Sequence, residues 1–565
     1  MNKQTATLLE RHFDTAFDSA DGVKKLRELI LTLAMQGKLV KQDPKDEPAS
    51  ELLKTIQAEK VRLVKEGKIK AQKELEEIKA GDVPYELPVG WEWVRLIDIG
   101  TWAIGSGLPH SIQGDTTQEI MLCKVSDMNL FGNEKFIVSS NNTVSEEIIQ
   151  QERLNVSQPG TIIFPKIGGA IATNKRRILK ERTVIDNNCL GITPASVMNL
   201  EWVYQLLLKF DFSKYQSGTS VPAISQGTIG MLTIGLPPLA EQHRIVAKID
   251  QLMARCDELE KLRTQREQMR ITVHATAIKQ LLDAETRDDQ TRSWEFITRN
   301  FGELYRVKEN VSELRKAILQ LAVMGKLVKQ DPSDQPASEL LKEIEAEKAR
   351  LIKEKKIKPS KPLPEIKADE VPYKLPTGWE WVRLGEVFNT TSGNTFDASL
   401  EKDNGDFAYV KVGDMNLPAN KLVITTSSRF INPNEKMKGW LIPKGSIIFP
   451  KRGGAIATNK KRIVDKPIFV DLNTMAITPI MNITTNYAYL WLSTVDLATL
   501  NTGTSVPQIN HKDIDPLSFP LPPLAEQHRI VAKIDKLMAL CDTLDQHIES
   551  TNSKQNELLQ SITAS

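Results

Sequence analysis

Two tracts of the sequence carry residue types that grip phosphate. In FPKIGGAIATNKRRI, Phe164–Ile178, a β-type run ends in Pro-Lys, two glycines follow, and three basic residues close the tract. The same order returns in FPKRGGAIATNKKRI, Phe449–Ile463. Lys166, Lys175, Arg176 and Arg177 in the first tract, and Lys451, Arg452, Lys460, Lys461 and Arg462 in the second, suit phosphate oxygens. Arginine can also fork onto guanine. Gly168, Gly169, Gly453 and Gly454 let backbone approach a ligand with no Cβ in the way. Because both tracts carry one pattern, it is assigned to shared work, positioning on a nucleic-acid backbone rather than reading its sequence. Base reading then falls to stretches that differ between the two surroundings. The candidates are His110, Gln113, Lys124 and Asn129 for the first, and Asn394, Lys411 and Asn416 for the second.

The motifs of catalysis are missing. No GxxxxGK[ST] tract offers a P-loop, IGSGLPH (Ile104–His110) lacks the third glycine of a dinucleotide fingerprint, and there is no HExxH, nucleophile elbow or CxxC pair. His243 and His528 recur in AEQHR without a second catalytic group beside them. Cys123, Cys189, Cys256 and Cys541 have no metal-ligand spacing and read as buried reduced thiols, which points to a cytoplasmic protein. Catalytic residues, metal ligands and cofactors of the chain's own are therefore expected to be none. Trp91, Trp93, Trp379 and Trp381 share one spacing where the chain enters each tract's domain, which favours core packing over stacking on a ligand. The 74 basic residues are nearly balanced by 72 acidic ones, so a nucleic-acid partner requires local concentration of charge. No run of eighteen apolar residues could span a bilayer, and the N-terminus lacks a secretory layout.

These tracts sit inside a duplication. Residues 23–96 align without a gap on 311–384, with 52 of 74 positions identical, including GKLVKQDP, PASELLK and GWEWVRL. Farther on, GTSVPAI (Gly218–Ile224) returns as GTSVPQI (Gly503–Ile509), and LPPLAEQHRIVAKID (Leu236–Asp250) returns letter for letter at Leu521–Asp535. The offset falls from 288 to 285, so a net loss of three residues lies in the stretch after GWEW. Between these anchors the halves diverge, as two readers of different targets would.

After each Pro-Pro the apolar period becomes helical. Ile245, Ile249, Leu252, Cys256, Leu259 and Leu262 mark one seam, and Ile530, Ile534, Leu537, Cys541, Leu544 and Ile548 mark its copy. The spacing is that of a short coiled coil. Each seam's expected partner is a leading helix, with Val23, Leu26, Ile30 and Leu33 on one face and Val311, Leu314, Ile318 and Leu321 on the other copy's. A leading N-terminal helix paired with the trailing C-terminal one would close the chain into a pseudo-twofold ring. The first seam spans about 27 Å, or about 57 Å if it runs to Leu282, which brackets one turn of B-DNA. The stretches 48–73 and 336–361 read as amphipathic helices with basic ends, KEGKIKAQK and KEKKIKPSK.

The fold class is therefore α+β: two small mixed α/β recognition domains separated by antiparallel coiled-coil helices, with a pseudo-twofold internal duplication. The expected divisions are a helical region at 1–91, a first recognition domain at 92–238 and a central helical region at 239–379. A second recognition domain at 380–523 and a C-terminal helix at 524–565 complete the chain.

This doubled arrangement, with its two LPPLAEQHRIVAKID helix starts, its doubled GTSVP element and its doubled GWEW, resembles the specificity subunits of type I restriction–modification enzymes, in their longer tandem-repeat form. The resemblance covers about Val23 to Ile548. It implies that each variable domain reads one half of a split double-stranded DNA target. It also implies that the helices fix the spacer and dock two modification subunits. Those partners would carry S-adenosylmethionine and methylate adenine, and restriction subunits would add ATP- and Mg-dependent translocation and cleavage. Such a subunit is non-catalytic by itself and has no membrane partner. The competing reading is a non-catalytic scaffold whose paired domains bind RNA or protein.

Overall fold

A computed structural model describes residues 17, 21–71, 75–218, 221–435, 437–500 and 506–564. Gln72 and Lys73 of the first basic stretch, and Thr219, Ser220 and Gly503–Ser505 of the GTSVP pair, lie outside the described residues. The chain forms two compact units, residues 1–265 with 552–565, and residues 266–551.

The first unit opens with helices α1 (Gly22–Met35) and α2 (Ala49–Lys65). Its strands are β1 (Glu92–Arg95), β2 (Gly100–Ile104), β3 (Ile120–Cys123), β4 (Phe136–Ile137), β5 (Thr143–Val144) and β6 (Val156–Ser157). They continue with β7 (Ile162–Pro165), β8 (Arg177–Leu179), β9 (Thr183–Ile185), β10 (Cys189–Pro194) and β11 (Thr233–Leu236), with helix α3 (Leu200–Lys209) before β11. Strands β1 and β11 pair antiparallel, Glu92 opposite Leu236, so the domain's entry and exit lie side by side. Between them stand a five-stranded sheet, ordered β2-β10-β7-β8-β4, and a four-stranded sheet, ordered β5-β3-β9-β6.

Strand β7 is buried on both faces, and its period of two sorts the core. Ile162 and Phe164 join a large cluster shared with the helices, whereas Ile163 joins a smaller one with Cys123, Met128 and Leu179. In the second unit Ile447 and Phe449 face the helical core and Ile448 the smaller cluster. There the five-stranded sheet is built from 388–392, 474–479, 447–450, 462–464 and 423–424 in the same order. All four cysteines are free and buried, and among the described residues no helix is long and apolar enough to cross a membrane.

The repeated letters LPPLAEQHR are explained by what each side chain holds. They open helix α4 (Leu239–Asp283) in the first copy and the helix Leu524–Ala564 in the second. Glu241, 1% exposed, accepts hydrogen bonds from Trp91 Nε1 (2.9 Å) and Gln42 Nε2 (3.0 Å); Glu526 does the same for Trp379 and Gln330. Burial pushes the Glu526 carboxyl up. Gln242 donates to Pro237 O and accepts from Asn199 N, fastening the helix start to the domain, and Gln527 repeats this with Pro522 and Thr484. Arg244 pairs with Asp46 at 2.5 Å and Arg529 with Asp334 at 2.5 Å.

The leading helices differ from the expected pairing. Arg27 of α1 reaches Asp257 (2.5 Å) and Glu260 (2.9 Å) on α4, while Asp46, past the other end of α1, meets Arg244. In the second unit Arg315, on the helix Lys308–Val323, reaches Asp542 and Asp545. Each leading helix is thus bonded, antiparallel, to the trailing helix of its own repeat rather than to that of the other. The seam also ends sooner in the first copy. Ile245, Ile249 and Cys256 are buried and Leu252 partly so, but Leu259 is 43% and Leu262 51% exposed. In the second copy Ile530, Ile534, Cys541 and Ile548 are buried and Leu537 and Leu544 pack against the same core. Leu259 is therefore removed from the seam, because among the described residues it joins neither the buried core nor the apolar side chains packed on it.

Candidate nucleic-acid interface

The glycine tracts begin where β7 leaves the sheet. Lys166 N donates to Asn188 O, Gly168 N to Pro222 O, and Ile224 N to Lys166 O, so Pro222–Ile224 run beside the glycines. The second domain repeats the arrangement through Lys451, Gly453, Pro507 and Ile509. Gly168 and Gly453 have φ of +73° and +74°, a conformation that demands glycine there. Gly169 and Gly454 carry no such demand, and a Cβ on either would meet nothing within 4 Å. Among the described residues nothing requires their bareness, and it leaves open backbone for something outside.

Each short helical turn that follows ends on a left-handed asparagine, Asn174 (φ 50°) or Asn459 (φ 52°). Its side-chain oxygen accepts from a buried cation. Arg176, 1% exposed, donates to Asn174 Oδ1 (2.8 Å) and Phe210 O (3.1 Å), with its guanidinium 3.8 Å from the Phe212 ring centroid. Lys461, 4% exposed, donates to Asn459 Oδ1 (2.8 Å) and Val495 O (2.7 Å). Burial lowers both, Arg176 to about 9 and Lys461 to about 8. These two are corrections to the expected phosphate set: they hold the loop from within and cannot reach a ligand. Lys451 joins them, 8% exposed with its Nζ bonded to Ser392 Oγ at 2.9 Å and lowered by burial.

The half-buried Arg177 and Arg462 aim inward too. Their guanidinium groups donate to Met128 O (2.9 Å) and Met415 O (2.8 Å), tying a neighbouring loop to β8 and to its copy. Lys175 and Lys460 reach the Asn129 and Asn416 side-chain oxygens of the same loop. Lys166 and Lys175 are half-exposed beside the first glycine pair, and the half-exposed Lys460 and the exposed Arg452 stand beside the second.

That loop reveals a repeat the sequence reading missed. KVSDMN (Lys124–Asn129) and KVGDMN (Lys411–Asn416) occupy the same place in the two domains. Buried Asp127 and Asp414 accept from the backbone N of Lys124 and Lys411 and from the hydroxyls of Ser140 and Ser427. Buried Asn133 and Asn420 then close the loop with four backbone bonds each. Lys124, Asn129, Lys411 and Asn416, expected to read bases from divergent loops, belong instead to the common frame. The signal was present in the shared K-V-x-D-M-N spacing. What differs is the partner of the shared lysine, Gln113 Oε1 at 2.5 Å in one domain and Glu401 at 2.7 Å in the other. His110 is exposed on a short turn and Asn394 is half-exposed, and no second candidate is joined to either side chain.

The two repeats match known protein sequences. The type I restriction modification DNA specificity domain matches twice, at residues 88–267 and 376–552. The specificity subunit of the type I restriction enzyme EcoAI of Escherichia coli is 34% identical over 576 residues, covering 96% of this chain and 93% of the relative. The corresponding EcoEI subunit of Escherichia coli is 32% identical over 578 residues, with 96% and 93% covered. The solved HsdS subunit of Thermoanaerobacter tengcongensis aligns with 85% of this chain and 97% of its own, at 20% identity and a TM-score of 0.43. With both halves matched and relatives above 30% identity along nearly its whole length, this chain belongs to the type I restriction–modification DNA specificity family.

Proposed function

We propose that the chain is the DNA-addressing subunit of a type I restriction–modification complex and carries no chemistry of its own. Residues 92–238 and 380–523 are its two target recognition domains, each reading one half of a bipartite duplex target. Residues 1–91, 239–379 and 524–565 form the helical parts that fix the spacer and dock two modification subunits. S-adenosylmethionine belongs to those modification subunits, and ATP and Mg to the restriction subunits.

The observation that carries this reading is the twin set of bare Gly169 and Gly454, each beside half-exposed or exposed cations, in two domains whose family match is the same. Lys166, Lys175, Arg452 and Lys460 contact DNA backbone, and Arg177 and Arg462 shape the loop beside it. His110, Gln113 and Asn394 face bases.

The test is selection from a random duplex library by the full chain, expressed with the modification subunit encoded beside it. The expected result is a split motif with two short specified halves. Lys175→Glu with Lys460→Glu should then weaken every duplex alike and flatten the salt dependence, since phosphate contacts carry no sequence information. No duplex enrichment would discard the reading in favour of an RNA- or protein-binding scaffold.

A further inference from the structure

We infer that Phe131 is a base-stacking wedge of the first recognition domain; this rests on the DNA-reading role proposed above. Phe131 is 98% exposed, the barest large apolar side chain among the described residues. It stands at the corner of the turn Leu130–Asn133, where Asn133 N donates to Leu130 O at 3.0 Å. Gly132, at the next position, has φ +90°, as a type II turn requires. Nothing in this turn depends on the ring.

The turn itself is rigidly held. Leu130 N donates to Asp127 O (3.1 Å), and fully buried Asn133 bonds Asp127 O, Ser139 O, Val138 N and Ser139 N. Two residues before the ring, Asn129 is bound by Lys175, and Met128 O by Arg177 at 2.9 Å. An aromatic ring is thus presented in water on a fixed arm, beside the cations assigned to phosphate. Val138, 50% exposed, lies against Gly132 of the turn, and a few residues on Lys135 lies 5.5 Å from the centroid of the Phe136 ring, itself 37% exposed.

This is the chemistry of a side chain that enters a base stack while neighbouring cations hold the strand. Glu134 accepts from Gly132 N (3.1 Å) within the turn, and Lys175 and Arg177 hold it from behind, so a single exposed ring stands in a polar surround that suits stacking on a base better than an apolar protein surface. At the equivalent corner of the second domain, Leu417–Asn420, stands Pro418, which is exposed but has no π face. The wedge therefore acts on one half of the target only.

The test uses the full chain and the duplex it selects from a random library, with 2-aminopurine placed at each position in turn. Binding should raise fluorescence at one base-pair step. Phe131→Ala should abolish that rise and weaken binding about tenfold, with the salt dependence and unfolding midpoint unchanged, and Phe131→Trp should restore both signals. Full affinity and an unchanged fluorescence rise in Phe131→Ala would overturn the wedge while leaving DNA reading intact. A wild-type chain that enriches no duplex would overturn DNA reading and the wedge with it.

Discussion

Lys175, Arg176 and Arg177 are neighbours in sequence and do three different things. The strand that begins at Arg177 sends alternate side chains to opposite faces, and the turn before it already follows that alternation, so the middle residue points into the core. In the second copy the middle position is Lys461, whose buried ammonium titrates at about 8. An unfolded lysine titrates near 10.4. Between those values the unfolded chain binds more protons than the folded one, so this residue's contribution to stability rises with pH and is lost as pH falls through 8. Urea unfolding of the wild type and Lys461→Met should therefore diverge between pH 8 and pH 10, the wild type gaining relative to the variant. Parallel curves would place the charge in solvent after all. The glycine-basic pattern was legible in the sequence. The inward turn of two cations in three, the middle one into the core and the last toward Met128 O or Met415 O, was not, because composition does not report which face a residue takes next to a strand.

At the scale of elements, the helical period identified both seams, yet period alone cannot tell where a partner helix stops. Leu259 and Leu262 keep the spacing of Ile249 and Cys256 but have lost their cover. Ile249→Ala should cost about 2–4 kcal/mol through transfer and cavity terms, whereas Leu259→Ala should fall within about 0.5 kcal/mol. Chemical denaturation of the two variants checks this, and equal losses would return Leu259 to the seam. The loop KVxDMN shows the converse limit. Its identity across domains was visible, but its buried aspartate and asparagine were not, because the aspartate accepts from serine hydroxyls thirteen residues on and the asparagine closes on backbone five or six residues away, contacts that no local spacing marks.

On the scale of the whole molecule, duplication, fold class and family were all readable from the repeated letters, since many of those letters make the same contacts in both copies. The route of the leading helices was not, because the same apolar faces could serve either trailing helix. Charge does not separate the two routes either, because Arg27 with Asp257 and Glu260 repeats as Arg315 with Asp542 and Asp545, and both trailing helices offer equivalent carboxylates. If α4 acts as the proposed spacer ruler, inserting seven residues after Leu259 lengthens it by about 10 Å. The preferred spacer should grow by about three base pairs, at about 3.4 Å each, with both half-sites unchanged. Library selection with the lengthened chain would reveal this, and an unaltered spacer would remove the ruler from the helix.

The pairing of β1 with β11 has a consequence for how such a protein can change over time. An insert whose first and last strands lie in one ladder makes few demands on its host. Trp91, Glu241 and Gln242 grip the doorway, and Trp379, Glu526 and Gln527 grip its twin in the same way. Whatever is threaded between those strands meets an unchanged socket. Inheritance can then act on whole interchangeable cassettes, so a new address can be acquired in one exchange without rebuilding the frame that delivers it.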